Sequence, residues 1–342
     1  MIKLSFKPKE VVKKILSELP ERSRDVLIKR YGLGKETSKM TLEAIGKEYS
    51  ITRERVRQIE EHGLNLIRKS EAYKDKEPIF SELRGVIDDL GVLIAEDELL
   101  DSISKADGVR NAVHFLLVVG DFFLKHKENE HFTHRWSVDK ELALTVEESI
   151  KRIYNNLDKE DIISESELIS NFLIEIKDIS DKYKSEEIIK RWLKLSKKIS
   201  SNPLGEWGKS ESPNINVKGI RDYAFLVIRR HGSPIHFREV AEEIEKLFDK
   251  KAHVATTHNE LIKDKRFVLV GRGLYALTDW GYSDGVVRDV IKQLLAKDGP
   301  LTKEDIVDRV LKERHVKENT VLVNLQNNKL FKKLSDDKYT LA

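Results

Sequence analysis

At 342 residues the chain is long enough for two or more compact domains with cores of their own, and 35% charged against 39% hydrophobic residues, with only 17 Gly and 7 Pro, suits a soluble and rather helical protein. It contains no cysteine, which excludes disulfides, thiolate zinc sites and cysteine nucleophiles and fits a reducing cytoplasm. The formal net charge of +3 is unevenly placed: residues 1–75 carry 18 Lys and Arg against 12 Asp and Glu, and the remainder carries 44 against 47. A basic N-terminal end suits phosphate contact there and argues against a DNA-coating role for the whole length. The start, Met1-Ile2-Lys3-Leu4-Ser5-Phe6-Lys7-Pro8, lacks the apolar core of a signal peptide. The densest apolar run, Phe115-Leu116-Leu117-Val118-Val119, is too short to span a bilayer, so the expectation is a cytoplasmic chain with no membrane partner.

The first elements read from the pattern lie at 41–61. Leu42, Ile45 and Tyr49 fall three and four residues apart and form one buried stripe, with Thr41 where an N-cap would satisfy the free amides of the first turn. Ser50-Ile51-Thr52 is the turn, and Thr52 is placed to cap the next helix. From Arg53 onward Val56 and Ile59 point one way, while Arg53, Glu54, Arg57, Gln58 and Glu61 fan out on the other. Two short helices around a tight turn make a helix-turn-helix. Arginine pairs bidentately with guanine, glutamine with adenine, and glutamate accepts from the amine of cytosine, so this face can discriminate bases. A surface built only for phosphate has no use for Glu54, whereas a reader of cytosine does. The plainer alternative is a solvated helix face with i,i+4 charge pairs.

Residues 19–69 resemble the sigma-70 family of bacterial RNA polymerase specificity factors, in the region-four segment that recognises the promoter −35 element. Leu19-Pro20-Glu21-Arg22 and Val26-Leu27-Ile28-Lys29-Arg30-Tyr31-Gly32-Leu33 look like its upstream helical part, and residues 41–60 like its helix-turn-helix. The resemblance implies that Arg53, Glu54 and Gln58 contact bases and that Arg55 and Arg57 lie at or near the backbone. It also implies that the upstream part docks on the flap of the polymerase β subunit. With the capping residue, the candidate DNA-binding set is Thr52, Arg53, Glu54, Arg55, Arg57 and Gln58. Two departures from the family stand out: the segment lies at the N-terminal end, and residues 1–40 hold only Phe6 and Tyr31 as aromatics, where a region melting the −10 element would need more. Recognition without promoter melting is the expectation.

Residues 71–78, charged and containing a proline, read as a protease-sensitive linker. Before it, residues 1–75 are expected to fold alone, the stripe of Leu42, Ile45, Val56 and Ile59 closing on Val26, Leu27 and Tyr31. Beyond it a pattern recurs: an apolar residue, a capping or polar residue, two variable positions, an acid, then apolar residues at helical spacing. It begins at Ile94, Ile163, Ile235 and Leu301, spaced by 69, 72 and 66 residues. Helical stretches precede each start, at 79–90, 146–157, 221–230 and 286–295. A further helical stretch and a β-prone pair follow, clearest at 267–277 and 331–341. Helix, helix, helix, hairpin is the order of a winged helix. The predicted fold is therefore mostly α with small β wings: a helix-turn-helix domain at 1–70, then winged-helix-like repeats at 79–138, 139–212, 218–282 and 285–342. The third, with Gly232-Ser233-Pro234-Ile235-His236-Phe237-Arg238-Glu239-Val240-Ala241, Gly271-Arg272-Gly273-Leu274-Tyr275-Ala276-Leu277 and Trp280, resembles the HARE-HTH domain, a winged helix also found in the polymerase delta subunit.

For the array, protein–protein scaffolding is slightly preferred, since the second half is mildly acidic where a phosphate-tracking array would be basic. Against that, a third helix at 317–329 in the last repeat exposes Asn319, Asn324, Gln326, Asn327 and Asn328, which could meet base edges or serve as caps and turns. His126, His131 and His134, near Asp121 and Glu128, lack the i,i+4 spacing of a metal motif and read as a solvated loop. Gly271-Arg272-Gly273 reads as a hairpin tip, and His253 and His258 as a helix start as readily as a site. No Ser-His-Asp or paired-carboxylate pattern has a supporting context, so no enzyme, cofactor or metal is expected.

Three functions remain open from sequence. The leading one is a transcription factor that binds double-stranded promoter DNA and associates with bacterial-type RNA polymerase. The second is a delta-like accessory subunit that displaces or supplements a sigma factor through protein contacts. The third, least favoured, is the targeting subunit of a restriction or modification system.

Overall fold

A computed structural model describes residues 1–282 and 285–342. The chain is mostly α with sheets of two or three strands, and it divides into two compact units: residues 1–200 with 207–210, and residues 201–206 with 211–342.

The first unit opens with α1 (Pro8–Ser17), α2 (Glu21–Tyr31), α3 (Leu42–Glu48), α4 (Arg53–Lys69) and the short α5 (Glu71–Lys74). Pro8 sits in the first turn of α1, where its missing N–H leaves no bond unmade. From there the order helix, helix, helix, hairpin occurs four times, three times with a short strand after the first helix. The first repeat runs α6 (Glu77–Asp89), β1 (Leu93–Ala95), α7 (Glu96–Ile103), α8 (Asp107–Val119), β2 (Leu124–His126), β3 (Arg135–Ser137). The second runs α9 (Lys140–Asn156), α10 (Glu165–Glu175), α11 (Glu186–Leu193), β4 (Ile199–Ser201), β5 (Trp207–Lys209), with Ile163 bridged to Trp207 in place of a first strand.

The second unit repeats the order twice, as α12 (Ile220–His231), β6 (Ile235–His236), α13 (Phe237–Phe248), α14 (Val254–Lys263), β7 (Phe267–Gly271), β8 (Leu274–Leu277), then α15 (Val287–Asp298), β9 (Leu301–Thr302), α16 (Lys303–Glu313), α17 (Glu318–Leu325), β10 (Phe331–Lys333), β11 (Lys338–Leu341). In each three-stranded sheet the first strand pairs with the last, as β1-β3-β2, β6-β8-β7 and β9-β11-β10. That is the winged-helix arrangement.

The recurring sequence pattern has a local cause. Its apolar residue is the short first strand or bridge, and the polar residue after it begins the next helix. Ser164 accepts from Glu167 N at 3.2 Å and Thr302 from Asp305 N at 3.2 Å, while His236 Nδ1 accepts from Arg238 N at 3.3 Å. In the first repeat Ala95 offers no cap, and Glu96, Asp97 and Glu98 instead place charge against the positive helix end.

Packing departs from the sequence reading at four places. Residues 71–78 are largely helical and are held by Tyr73, whose ring lies 4.9 Å from that of Phe80 and whose hydroxyl donates to Asp121 at 3.2 Å. Leu27 and Tyr31 do not close the helix-turn-helix stripe. Val26 joins Ile45, Val56 and Ile59, whereas Leu27 and Tyr31, four residues apart on another face of α2, enter a core with Ile67, Phe80, Phe115 and Trp136. The loop holding His131 and His134 is not simply solvated, because Phe132 is buried among Val146, Ile150 and Trp192 of the second repeat. The third helix of the last repeat is shorter than expected, and past it Asn327 accepts from Lys329 N at 3.2 Å in a turn.

Candidate nucleic-acid interface

The helix-turn-helix is built as its residues dictate. Thr41 caps α3 through Ala44 N at 3.1 Å and Thr52 caps α4 through Arg55 N at 3.1 Å. Ser50 takes a left-handed φ of 55° in the turn. Gly46 faces that turn so closely that a Cβ would lie 2.7 Å from the Ile51 carbonyl oxygen. Val26, Ile45, Val56 and Ile59 lock the three helices, with Leu42, Tyr49 and Ile51 half-buried around them.

Thr52, Arg53, Glu54, Arg55, Arg57 and Gln58 are all exposed at the start of α4. Lys47, Arg53 and Arg55 border a shallow hollow over the turn. Further along, Arg57 donates from Nε to both Glu54 oxygens, at 3.0 and 3.1 Å, and from Nη1 to Glu61 at 3.1 Å. Those bonds hold the Glu54 carboxyl below its ordinary pKa. Arg55 Nη1 donates to Gln58 Oε1 at 3.1 Å. The charge pairs of the plainer reading are therefore present, among exposed side chains where solvent screens them, so they can be exchanged for base contacts.

Sequence reasoning missed the network that sets α3 against α2. Lys29 pairs with Asp25 at 2.9 Å and with Glu48, its ammonium lies 4.9 Å from the Tyr49 ring centroid, and the Tyr49 hydroxyl donates to Asp25. Burial pulls the Asp25 carboxyl upward, but the hydrogen bonds from Tyr49 and Lys29 outweigh it and leave it below the ordinary value. The i,i+4 spacing of Asp25 and Lys29 was the available signal.

It also missed what α8 packs against: a helical stretch was expected after Ile94, but its apolar run stood out only as too short for a membrane. Eight residues of this helix are buried, and the helix lies against α1, α2 and α4. Asn111 Nδ2 donates to Gly32 O at 3.0 Å and Thr37 O at 2.8 Å, while Arg68 reaches Val118 O at 3.0 Å and Val119 O at 3.1 Å. The third helix of the second repeat is likewise turned to protein: Arg191 donates to Glu98 at 2.8 Å and Leu90 O at 3.0 Å, and Trp192 Nε1 to Gly91 O at 2.9 Å.

Among known proteins, residues 15–69 match the family Sigma-70, region 4. The same stretch is 45% identical over 60 residues to the RNA polymerase sigma factor RpoD of Helicobacter pylori, covering 18% of this chain and 9% of that protein. It is 49% identical over 57 residues to the sigma factor RpoS of Coxiella burnetii, 17% of this chain and 16% of that one. Against the sigma factor SigA of a Nostoc species it is 48% identical over 60 residues, 18% and 15% of the two chains. The likeness thus spans less than a fifth of this chain and of each of these relatives. Within it lies a sigma-like helix-turn-helix segment of the DNA-binding, transcription-related kind. Among the described residues no helix is long and apolar enough to cross a membrane.

Proposed function

We propose that this chain is a transcription factor that reads double-stranded promoter DNA through the exposed start of α4 and associates with bacterial-type RNA polymerase. The observation that carries this reading is the set Arg53, Glu54, Arg55, Arg57 and Gln58, exposed on a capped second helix inside the segment that matches Sigma-70, region 4. Arg53, Glu54 and Gln58 read base edges, with Arg55 and Arg57 at the phosphates. In fluorescence binding to a −35-like duplex, Arg53→Ala and Gln58→Ala are each expected to lower specific affinity by about 1–3 kcal/mol and to leave binding to random duplex nearly unchanged. Arg55→Ala weakens both alike and reduces the slope of log affinity against log salt by about 1. Equal loss on specific and random DNA for all three would sink the base-reading assignment.

The winged helices serve mainly as protein-facing scaffold in this proposal, and the buried third helices α8 and α11 support that role. The same observation favours, as a second reading, a delta-like polymerase accessory subunit that competes with or supplements a sigma factor. Contact with the β-subunit flap would compete with α8, which already packs on Leu27 and Tyr31 of α2 and Ile67 of α4. Co-purification with core polymerase without DNA binding by the isolated protein would select the second reading.

Promoter opening needs aromatic side chains free to stack on flipped bases, a contact worth about 1–3 kcal/mol per base. Trp136, Trp192 and Trp207 are instead buried in cores. With core polymerase and this protein as the only factor, a run-off reaction on linear duplex is expected to give no promoter-specific transcript. Melting then falls to a partner such as a sigma factor, and a specific transcript from sigma-free core would overturn this part of the proposal.

A further inference from the structure

Where α1, α2 and α8 meet, the first unit carries an open groove of about 440 Å³. Val12, Leu16, Ile28, Leu33 and Ala112 make its apolar floor, and Gly108, without a side chain, borders it beside Lys9. Gly108 and Ala112 belong to α8 of the first repeat, so the groove is a composite that the sigma-like segment could not form by itself.

Its rim is basic. Lys9, Lys13 and Arg24 border it with Glu10, which is paired to Lys7 at 3.1 Å. Among the described residues, no ion pair joins Lys9, Lys13 or Arg24 to a carboxylate, whereas nearby Lys29 and Arg30 are paired with Asp25 at 2.9 Å and Glu60 at 3.6 Å. Three uncompensated cations around an apolar trough fit a ligand with an apolar stripe flanked by acids. Helices wall the trough on three sides, and the element that presents such a stripe over one or two turns is an amphipathic helix.

We propose that this groove binds an acidic amphipathic helix of a partner protein. Two or three aliphatic side chains at i, i+3 or i+4, and i+7 lie along the floor, and carboxylates beside them meet Lys9, Lys13 and Arg24. The site works independently of the DNA-reading face of α4.

The test uses the full chain and a fluorescent synthetic helix of about 14 residues, with Leu at i, i+3 and i+7 and Glu at the flanking positions. Its comparator carries Lys in place of every Glu. The acidic peptide is expected to bind at least about tenfold more tightly than the basic one at low salt, with the difference shrinking as salt rises. The double variant Lys13→Glu/Arg24→Glu, changed only at the rim, reverses the preference. Gly108→Leu adds bulk at that end and removes binding; its Cβ would lie in ordinary contact with two side chains, 3.4 Å from Lys9 Nζ and 3.5 Å from Thr37 Cγ2, so the fold is retained, as an unchanged melting curve would verify. Equal binding of the two peptides, no binding of either, an unreversed preference in the double variant, or full binding by a folded Gly108→Leu protein would each overturn the proposal.

Discussion

Phe115→Ala is expected to cost about 3–5 kcal/mol and to lower the melting of the whole first unit by on the order of 10 °C. Phe115 is fully buried in α8, and its ring meets that of Tyr31 at 5.1 Å and 65°. Leu27, Tyr31 and Ile67 of the sigma-like segment share that core with Phe80, Leu116 and Trp136 of the first repeat. Truncating the ring opens a cavity on a seam between the two, so both sides lose packing. DNA binding and the signature of the first repeat therefore decline together on heating. For the same reason a fragment ending at residue 75 is expected to lack stable tertiary structure by circular dichroism, since Tyr31 and Ile67 lose their cover. Two separate transitions in the Phe115→Ala protein, with the helix-turn-helix melting at its original temperature, would show that the seam carries little energy.

The second large effect is expected at Gly46. Any Cβ there would sit 2.7 Å from the Ile51 carbonyl oxygen, and the obstacle is backbone that cannot swing aside as a side chain could. Gly46→Val should therefore push α3 away from the turn, cost about 1–3 kcal/mol or more, and remove specific DNA binding while most of the helical signal remains. Gly85 provides the control: it also lies in a helix, α6, but a Cβ there meets nothing within 4 Å. Gly85→Ala is expected to stabilise by about 0.5–1 kcal/mol, because alanine loses less chain entropy in a helix. If both substitutions behave alike, the tight approach at Gly46 is not what holds the turn.

The local geometry of the candidate site is legible in the sequence itself. Thr41 and Thr52 cap the helices they precede, Ile45, Val56 and Ile59 are buried, and the polar residues of α4 face solvent. These are short-range consequences of helical spacing and capping, which a linear sequence displays directly. The four recurring starts were readable for the same reason, since each is a strand or bridge residue with a helix beginning two positions on.

Partner choice was not readable. Leu27 and Tyr31 announce an apolar stripe on α2, but periodicity says that a stripe is buried without saying against what. Glu54 and Arg57 stand three residues apart, yet their fork, with Glu61 on the other side, is set by rotamers.

By itself, then, the sequence determined the helix-turn-helix, its exposed polar face and the fourfold helix–helix–helix–hairpin order, because each is encoded within a few turns of chain. Only the tertiary structure decided that α8 is spent on holding the sigma-like segment, that residues 71–78 are packed, and that a basic-rimmed groove lies between α1, α2 and α8. Those features depend on which apolar faces meet across tens of residues. That pairing is settled by shape and burial together, through contacts such as Phe115 on Tyr31 and Asn111 on the Gly32 carbonyl.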